Sequence, residues 1–170
     1  EIDPTQRAAR SEGRSPAAIL VTTFSDELRA NTGGHSKVFG VSVKDRGAIS
    51  MAGHTGTAYW FSKASGGFVT STYYLDKYPD WVNAFNESKP AQKFAGTDWQ
   101  LLHDKDTYLF GDSDDREWET DVGGFGRVFP HSFGDGSSPY FTTWLTLSPA
   151  GDRLVLDFAK QTLVEEQLGQ

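Results

Sequence analysis

Cysteine is absent from the 170 residues, which excludes disulfide bonds, thiolate nucleophiles and cysteine-ligated zinc or iron–sulfur centres. Long apolar runs are absent too, and none approaches the roughly 20 residues of a membrane-spanning helix, so we expect no membrane span. Positive charge is scarce, because 16 Lys and Arg stand against 23 Asp and Glu, for a net charge of −7. We therefore expect no nonspecific attraction to nucleic acid, and any anion-binding site must be local.

The chain does have enough apolar and aromatic material for a folded core. Hydrophobic residues make up 37% of the sequence, with twelve Phe, six Tyr and five Trp. A chain of this size buries roughly 70% of the surface that its unfolded form exposes. Because the first residue is not Met, we expect either a removed leader or a piece of a longer protein.

The N-terminal region predicts an α/β unit. Residues 1–16 are polar and predict an exposed helix or connecting arm. Residues 16–33 predict one helix, with Ser15 as its N-cap and Gly33 after its last helical residue. Residues 37–43 are β-branched and predict a buried strand. The predicted helix has an inward face of Leu20, Phe24 and Leu28, and a solvent face of Asp26, Glu27 and Arg29.

The next segments predict a hairpin and a short helix. Residues 57–74 contain two aromatic β-rich stretches around Gly66 and Gly67, which is typical of a β-hairpin. Residues 78–88 predict a helix with Pro79 near its start. The inward face of that helix is predicted to contain Trp81, Val82 and Phe85.

The remainder divides into an irregular stretch and helices. Residues 89–138 lack periodicity and predict a cap or insertion, because connections in compact domains usually have about 4–6 residues. Residues 139–147 and 152–168 predict helices. We expect three parts: residues 1–88 in an α/β core, residues 89–138 as the irregular cap, and residues 139–170 as a helical return to the core. The inward face of the last helix is predicted to contain Val155, Leu156, Phe158, Ala159 and Leu163.

Several motifs favour a structural interpretation over a functional one. Asp112, Asp114 and Asp115 begin like a calcium loop, but Glu117 stands where the turn needs Gly, so a solvated acidic loop is favoured. Residues 123–129 contain glycines but follow no clear strand, which favours a loop over a phosphate cradle. His35, His54, His103 and His131 lack the spacing of compact metal motifs. Core packing is favoured over a carbohydrate platform for Trp60, Phe61, Tyr73, Tyr74, Trp81 and Phe85.

One segment, residues 42–49 (SVKDRGAI), carries a candidate anion site. Lys44 and Arg46 flank Asp45 directly after an apolar strand, where open α/β proteins place ligand-binding residues. On an extended backbone, residues i and i+2 point the same way, so both cations would converge on one anion while Asp45 anchors the turn. From these residues alone, an ordinary charged turn remains an open alternative.

Three blocks extend this observation: SKVFGVSVKDRGAISMAGHTGTAYWF, GGFVTSTYYLDKYPDWVNAFN and LSPAGDRLVLDFAKQTLVEEQLG. Together they resemble bacterial alkaline phosphatases of the type I phosphodiesterase/nucleotide pyrophosphatase branch, within the alkaline phosphatase superfamily. The resemblance covers residues 15–86 and 148–169, whereas residues 96–138 match nothing specific. It implies an α/β fold in which this chain is an internal portion of an alkaline-phosphatase-like α/β sandwich, with a β-hairpin and a long irregular insertion.

The resemblance implies substrate-binding roles for Lys44 and Arg46. In that family, the matching Lys and Arg bind non-bridging oxygens of the substrate phosphoryl group and mark phosphate-monoester specialists. The family nucleophile is a Thr in a Thr-x-Pro-Gly-His type run that this sequence lacks, and Thr55, which follows His54, belongs to a different block. The resemblance thus implies no catalytic and no metal-binding residue in this chain, and two Zn²⁺ ions in the parent enzyme with ligands outside it.

The expected function is that of a fragment of a zinc-dependent alkaline phosphatase. The parent would hydrolyse phosphate monoesters through a phospho-threonine intermediate, and the 170-residue chain alone would be inactive. Its expected partners are a phosphorylated small molecule and the rest of the parent polypeptide, and the family implies a periplasmic or secreted location. Two alternatives stay open: a phosphodiesterase or nucleotide pyrophosphatase of the same superfamily, and a non-catalytic anion- or glycan-binding module that binds phosphate at millimolar concentration or better.

Overall fold

The computed structural model describes residues 14–169, so the predicted helix or arm at residues 1–16 lies mostly outside the described part. The described chain forms two compact units: residues up to Pro90 together with those from Arg153 onward, and Ala91–Asp152. No helix among residues 14–169 is both long and apolar enough to cross a bilayer. The predicted boundaries at residues 88 and 138 concern the larger fold and stay predictions.

The first unit is organised by a three-stranded mixed sheet. Strands β1 (Phe39–Ser42) and β2 (Thr57–Phe61) are parallel, and helix α2 (Asp45–Ala52) connects them. Strand β3 (Phe68–Val69) pairs antiparallel with β2, which confirms the predicted hairpin. Two parallel neighbouring strands need a crossover connection rather than a tight turn. Helix α2 is that connection, and it begins close to the carboxyl end of β1.

The residues of β2 alternate between two apolar layers, because successive side chains of a strand point to opposite faces. Trp60 is 1% exposed and belongs to a cluster with Ala48, Ile49 and Ala52 of α2. Tyr59 faces the other layer, where its ring lies 5.2 Å from the Phe158 ring. The burial of Trp60 and Phe61 agrees with the core interpretation of these two residues, whereas Tyr73, predicted to pack in the same way, is 37% exposed.

Helices α3 (Asp80–Glu87) and α5 (Pro149–Glu165) contribute to the second layer. The Phe158 ring stacks on Phe68 with centroids 4.2 Å apart, and it also contacts Trp81 and Phe85 of α3. The inward face predicted for α3 is therefore present. The inward face predicted for α5 is right for Phe158 and wrong for Leu156 and Leu163, which are about half exposed, while Val155 and Ala159 are partly buried. The fully buried residues of this helix in the first unit are Leu154, Phe158 and Thr162.

The single helix predicted for residues 16–33 is also wrong. The structure has a short 3₁₀ turn at Pro16–Ala18, capped by Ser15, and a separate helix α1 at Phe24–Asn31. Thr23 caps α1 through a capping box with Asp26, which gives the chain a second helix start. The predicted apolar face points outward, since Leu20 is 93% and Phe24 84% exposed, while Asp26 is buried.

The second unit, Ala91–Asp152, contains little regular structure. Strands β4 (Asp98–Trp99) and β5 (His131–Ser132) form a two-residue antiparallel pair, and helix α4 spans Phe141–Thr146. The Phe125 and Trp144 rings stack with centroids 5.5 Å apart. Aromatic packing therefore takes the place of extended secondary structure in this unit.

Candidate functional site

Lys44 and Arg46 lie where β1 gives way to α2. Lys44 is the residue before the first helical residue, with φ −109° and ψ 134°, and Arg46 is the second residue of α2. Both are exposed. The predicted extended backbone is wrong from Asp45 onward, because burial of Ala48, Ile49 and Ala52 against Trp60 favours a helix there.

Asp45 fixes this turn from inside the protein. Its carboxylate forms an ion pair with Arg14 and accepts a hydrogen bond from the Arg46 amide at 2.9 Å. The Lys44 ammonium lies 3.3 Å from the same carboxylate. Burial alone would raise the pKa of Asp45, but the Arg46 amide and the charges of Lys44 and Arg14 together hold this pKa below its usual value. Asp45 therefore stays ionised and holds the backbone on which both cations stand.

The two cations differ in how much they are engaged. The Lys44 side chain is 62% exposed and shares the Asp45 carboxylate. Within residues 14–169, no carboxylate pairs with the Arg46 guanidinium. The guanidinium can therefore present its planar donors to an incoming anion without breaking an ion pair with any residue of 14–169.

The first unit contains a second polar cluster, which the sequence analysis missed. The Asp26 carboxylate accepts from the amide and hydroxyl of Thr23 at 2.9 Å each, and from the amide and hydroxyl of Thr55 at 3.0 Å each. It also accepts from the His54 amide at 2.8 Å and faces the His54 Nδ1 atom at 2.9 Å. The spacing of Thr23 and Asp26 is the sequence signal that could have revealed this cluster.

The pKa values of Asp26 and His54 shift in opposite directions. Burial alone would raise the pKa of Asp26, but hydrogen bonds from His54, Thr23 and Thr55 outweigh it and hold the pKa well below the usual range. The hydrogen bond to Asp26, followed by the one to the Ile19 carbonyl, raises the pKa of His54 above 6.5. Both groups therefore favour their charged forms.

The described residues offer no metal site. Within residues 14–169, no three His, Asp or Glu side chains are arranged to hold a metal ion. In the acidic loop, the Asp114 carboxylate accepts a hydrogen bond from the Phe129 amide, and Asp115 forms an ion pair with Arg127. Such contacts are typical of a structural loop. His131 is buried among aromatic rings, with its Nδ1 atom 3.1 Å from the Phe125 carbonyl oxygen. Residues 14–169 therefore do not fit a zinc centre.

Comparison with known proteins identifies relatives over nearly the whole chain. The chain is 39% identical over 169 residues to alkaline phosphatase PhoV of Synechococcus elongatus, and 34% identical over 173 residues to alkaline phosphatase PafA of Elizabethkingia meningoseptica. A third relative, 36% identical over 173 residues, is a Myroides odoratus protein named calcium-transporting ATPase. These alignments cover 98–99% of this chain but only 30–32% of the relatives' length, so the chain spans about a third of the curated relatives it matches. No protein-family model matches.

The fold is similar to that of a solved alkaline phosphatase. The wild-type PafA crystal structure matches 87% of this chain with a TM-score of 0.68 at 33% identity, and the match covers 29% of the PafA chain. A PafA variant with four substitutions matches with a TM-score of 0.66 at 34% identity, over 88% of this chain and 29% of that one. The predicted resemblance to alkaline phosphatases and the predicted α/β fold class are confirmed.

Proposed function

We propose that this chain contributes the substrate-phosphate clamp of a phosphate-monoester hydrolase, with Lys44 and Arg46 as its two cations. The observation that carries the proposal is the position of both residues at the junction of β1 and α2, where they are exposed and their backbone is fixed by the buried Asp45. A cation at this junction can reach a ligand beyond the carboxyl end of the strand, which is where α/β proteins bind ligands.

The chemistry of the pair suits a phosphoryl group. The Arg46 guanidinium can donate two parallel hydrogen bonds to two phosphoryl oxygens, and the Lys44 ammonium acts as a point charge. During phosphoryl transfer, negative charge is spread over the non-bridging oxygens, so fixed cations beside them stabilise the transition state. A monoester dianion gains more from two cations than a diester monoanion, which is why we propose monoesters as the substrate class.

The relatives support this proposal. PhoV and PafA are named alkaline phosphatases. Among the four substitutions of the crystallised PafA variant are a lysine and, two positions further along, an arginine, each replaced by alanine. Lys44 and Arg46 have the same residue types and the same spacing.

The nucleophile and metal ions are proposed to come from outside the described residues. Residues 14–169 contain no ligand set for zinc, so we assign no zinc-dependent step to them. In this proposal, a longer enzyme contributes a threonine nucleophile and two zinc ions, and the 170-residue chain has no hydrolase activity alone. A periplasmic or secreted location belongs to the same proposal.

Activity of the longer enzyme tests the clamp. Lys44→Ala should lower kcat/KM for a phosphate monoester by roughly tenfold or more, because one preorganised cation is lost at the transition state. The matched control is Arg153→Ala, which removes an exposed cation from α5, where its side chain is 69% exposed. Equal kcat/KM values for wild type, Lys44→Ala and Arg153→Ala would contradict the proposal.

The second candidate is a free-standing anion-binding module, which the exposed pair of cations also allows. It requires the 170-residue chain to bind inorganic phosphate at millimolar concentration or better, with binding lost in both Lys44→Ala and Arg46→Ala. Isothermal titration of the chain with phosphate distinguishes the two candidates. Tight binding together with an absence of hydrolysis in the longer protein would favour the module.

A further inference from the structure

The ring of His54 has a hydrogen-bond acceptor at each nitrogen. Nδ1 lies 2.9 Å from the Asp26 Oδ2 atom, and Nε2 lies 3.0 Å from the carbonyl oxygen of Ile19. A carboxylate and a peptide carbonyl can only accept, whereas a neutral imidazole carries a single N–H. Both contacts are hydrogen bonds only when His54 is an imidazolium.

This ring joins segments that are far apart in sequence. Gly53 is the first residue after α2, and His54 follows it. Asp26 belongs to the first turn of α1, and Ile19 lies in the stretch that leads into α1. The His54 amide and the amide and hydroxyl of Thr55 also donate hydrogen bonds to Asp26. These hydrogen bonds do not titrate near neutral pH.

We propose that Asp26 and His54 form a proton-dependent latch that fixes the C-terminal end of α2 to α1 and to Ile19. When His54 loses its proton, Nδ1–H still donates to Asp26, but the lone pair of Nε2 faces the lone pairs of the Ile19 carbonyl oxygen. That contact becomes repulsive and Ile19 is released from the ring, whereas Thr23 stays bound to Asp26 through its amide and hydroxyl. The latch does not depend on whether Lys44 and Arg46 bind a ligand. Its importance for a phosphate clamp at the N-terminal end of α2 rests on the proposed function.

The charges around the ring allow this assignment. Within residues 14–169, Asp26 is the one charged side chain hydrogen-bonded to the ring. The charged residues of α2, Asp45 and Arg46, lie at its opposite end, and on α1 Arg29 donates to the Ser36 carbonyl instead. From the stretch after β3, the Tyr73 hydroxyl donates to the His54 carbonyl and the Tyr74 hydroxyl to the Gly53 carbonyl.

The sign of the pH effect follows from the raised pKa of His54. A group whose pKa is higher in the folded state stabilises that state fully below its unfolded value, here 6.5. The stabilisation is lost as pH rises through the folded value. The latch is therefore closed below the pKa of His54 in the folded state and opens as pH rises through that value.

Nitrogen-15 NMR of the histidine rings in the 170-residue chain tests the latch directly. We expect both ring nitrogens of His54 to be protonated at pH 6.5, and the midpoint of the titration to lie above 6.5. A neutral ring with a single protonated nitrogen at that pH, or a midpoint at or below 6.5, would overturn the proposal. This measurement does not involve phosphate, so its failure is separate from failure of the proposed function.

The pH dependence of unfolding provides a second test with a matched control. His54→Gln keeps an amide donor but cannot titrate, whereas Ser25→Ala removes the non-titrating hydrogen bond from Ser25 to the Met51 carbonyl at the same end of α2. We expect wild type and Ser25→Ala to lose stability in parallel as pH rises above 6.5, and His54→Gln to lose less. Parallel curves for wild type and His54→Gln would overturn the latch, and if His54→Gln does not fold, the NMR titration decides.

Discussion

Gly53 leaves no room for a side chain beside the carboxylate of Asp26. A Cβ atom at position 53 would overlap the Thr23 Oγ1 atom and come within 2.6 and 2.7 Å of the two Asp26 carboxylate oxygens, and the Gly53 backbone has a φ of +68°. Both features require glycine here, because other residues rarely adopt positive φ and no side-chain atom fits beside the buried carboxylate. The end of α2 can therefore approach α1 closely enough for the contacts between Asp26, His54 and Thr55.

Gly53→Ala should lower the free energy of unfolding by at least about 3 kcal/mol, the sum of backbone strain and displacement of the Asp26 carboxylate. Urea denaturation measures this change. Gly34→Ala is the matched control, since Gly34 also has positive φ (+85°) but nothing lies within 4 Å of its added Cβ. It should cost about 1 kcal/mol, and equal costs for both variants would show that close contact with Thr23 and Asp26 is unimportant.

Asp26→Asn should destabilise the protein by about 2 kcal/mol at pH 7, because the amide cannot accept all six hydrogen bonds and loses the charge opposite His54. Since the pKa of Asp26 is lowered on folding, its ionised form stabilises the protein above the unfolded value of about 3.8 and stops doing so as pH falls. The difference from wild type should therefore shrink below pH 4. Glu27→Gln, on the exposed side of the same helical turn, should show almost no effect; a constant difference for Asp26→Asn from pH 7 to pH 3 would contradict this account.

Phe158→Ala should cost about 3–5 kcal/mol, because it removes the ring that contacts Tyr59, Phe68, Trp81 and Phe85. Leu163→Ala on the same helix should cost less than about 1 kcal/mol, since Leu163 is 51% exposed. Thermal or urea unfolding of both variants checks which face of α5 is buried. Comparable losses would contradict the observed orientation of the helix.

The sequence predicted those elements whose signals are local. The β-rich stretches on either side of Gly66 and Gly67 are sufficient to predict the hairpin of β2 and β3, and Pro79 marks the start of α3. The position of β1 also follows from the β-branched residues Val38, Val41 and Val43 within and beside it. In these cases turn chemistry and short-range periodicity agree with the tertiary structure.

Which face of α1 is buried depends on tertiary contacts that cannot be deduced from the spacing of its apolar residues. Leu20, Phe24 and Leu28 have helical spacing, yet all three are exposed. The inward residue is Asp26. Its acidic side chain can be buried because His54 and Thr55, which follow the C-terminal end of α2, donate hydrogen bonds to it. The capping-box spacing of Thr23 and Asp26 is a local signal of the contact between these two residues, but the prediction placed Asp26 on the solvent face.

The sequence predicted the residue types of the candidate site but not the conformation of its backbone. Lys44 and Arg46 were chosen for their charge and their position after β1, and they do lie at the carboxyl end of that strand. Their expected alternation on an extended chain failed because α2 starts at Asp45. The helix start depends on packing of Ala48 and Ala52 against Trp60, which cannot be deduced from the triplet of charges.

The most direct test of the phosphate clamp compares two substrates in the longer enzyme, with and without Arg46. We predict that Arg46→Ala lowers kcat/KM for a phosphate monoester by about 10²-fold or more, while hydrolysis of a phosphate diester falls much less, because the dianion depends more strongly on the second cation. The ratio of the two kcat/KM values is the measured quantity. An equal decrease for both substrates, or no decrease for the monoester, would contradict the assignment of Arg46 as the residue that selects monoesters.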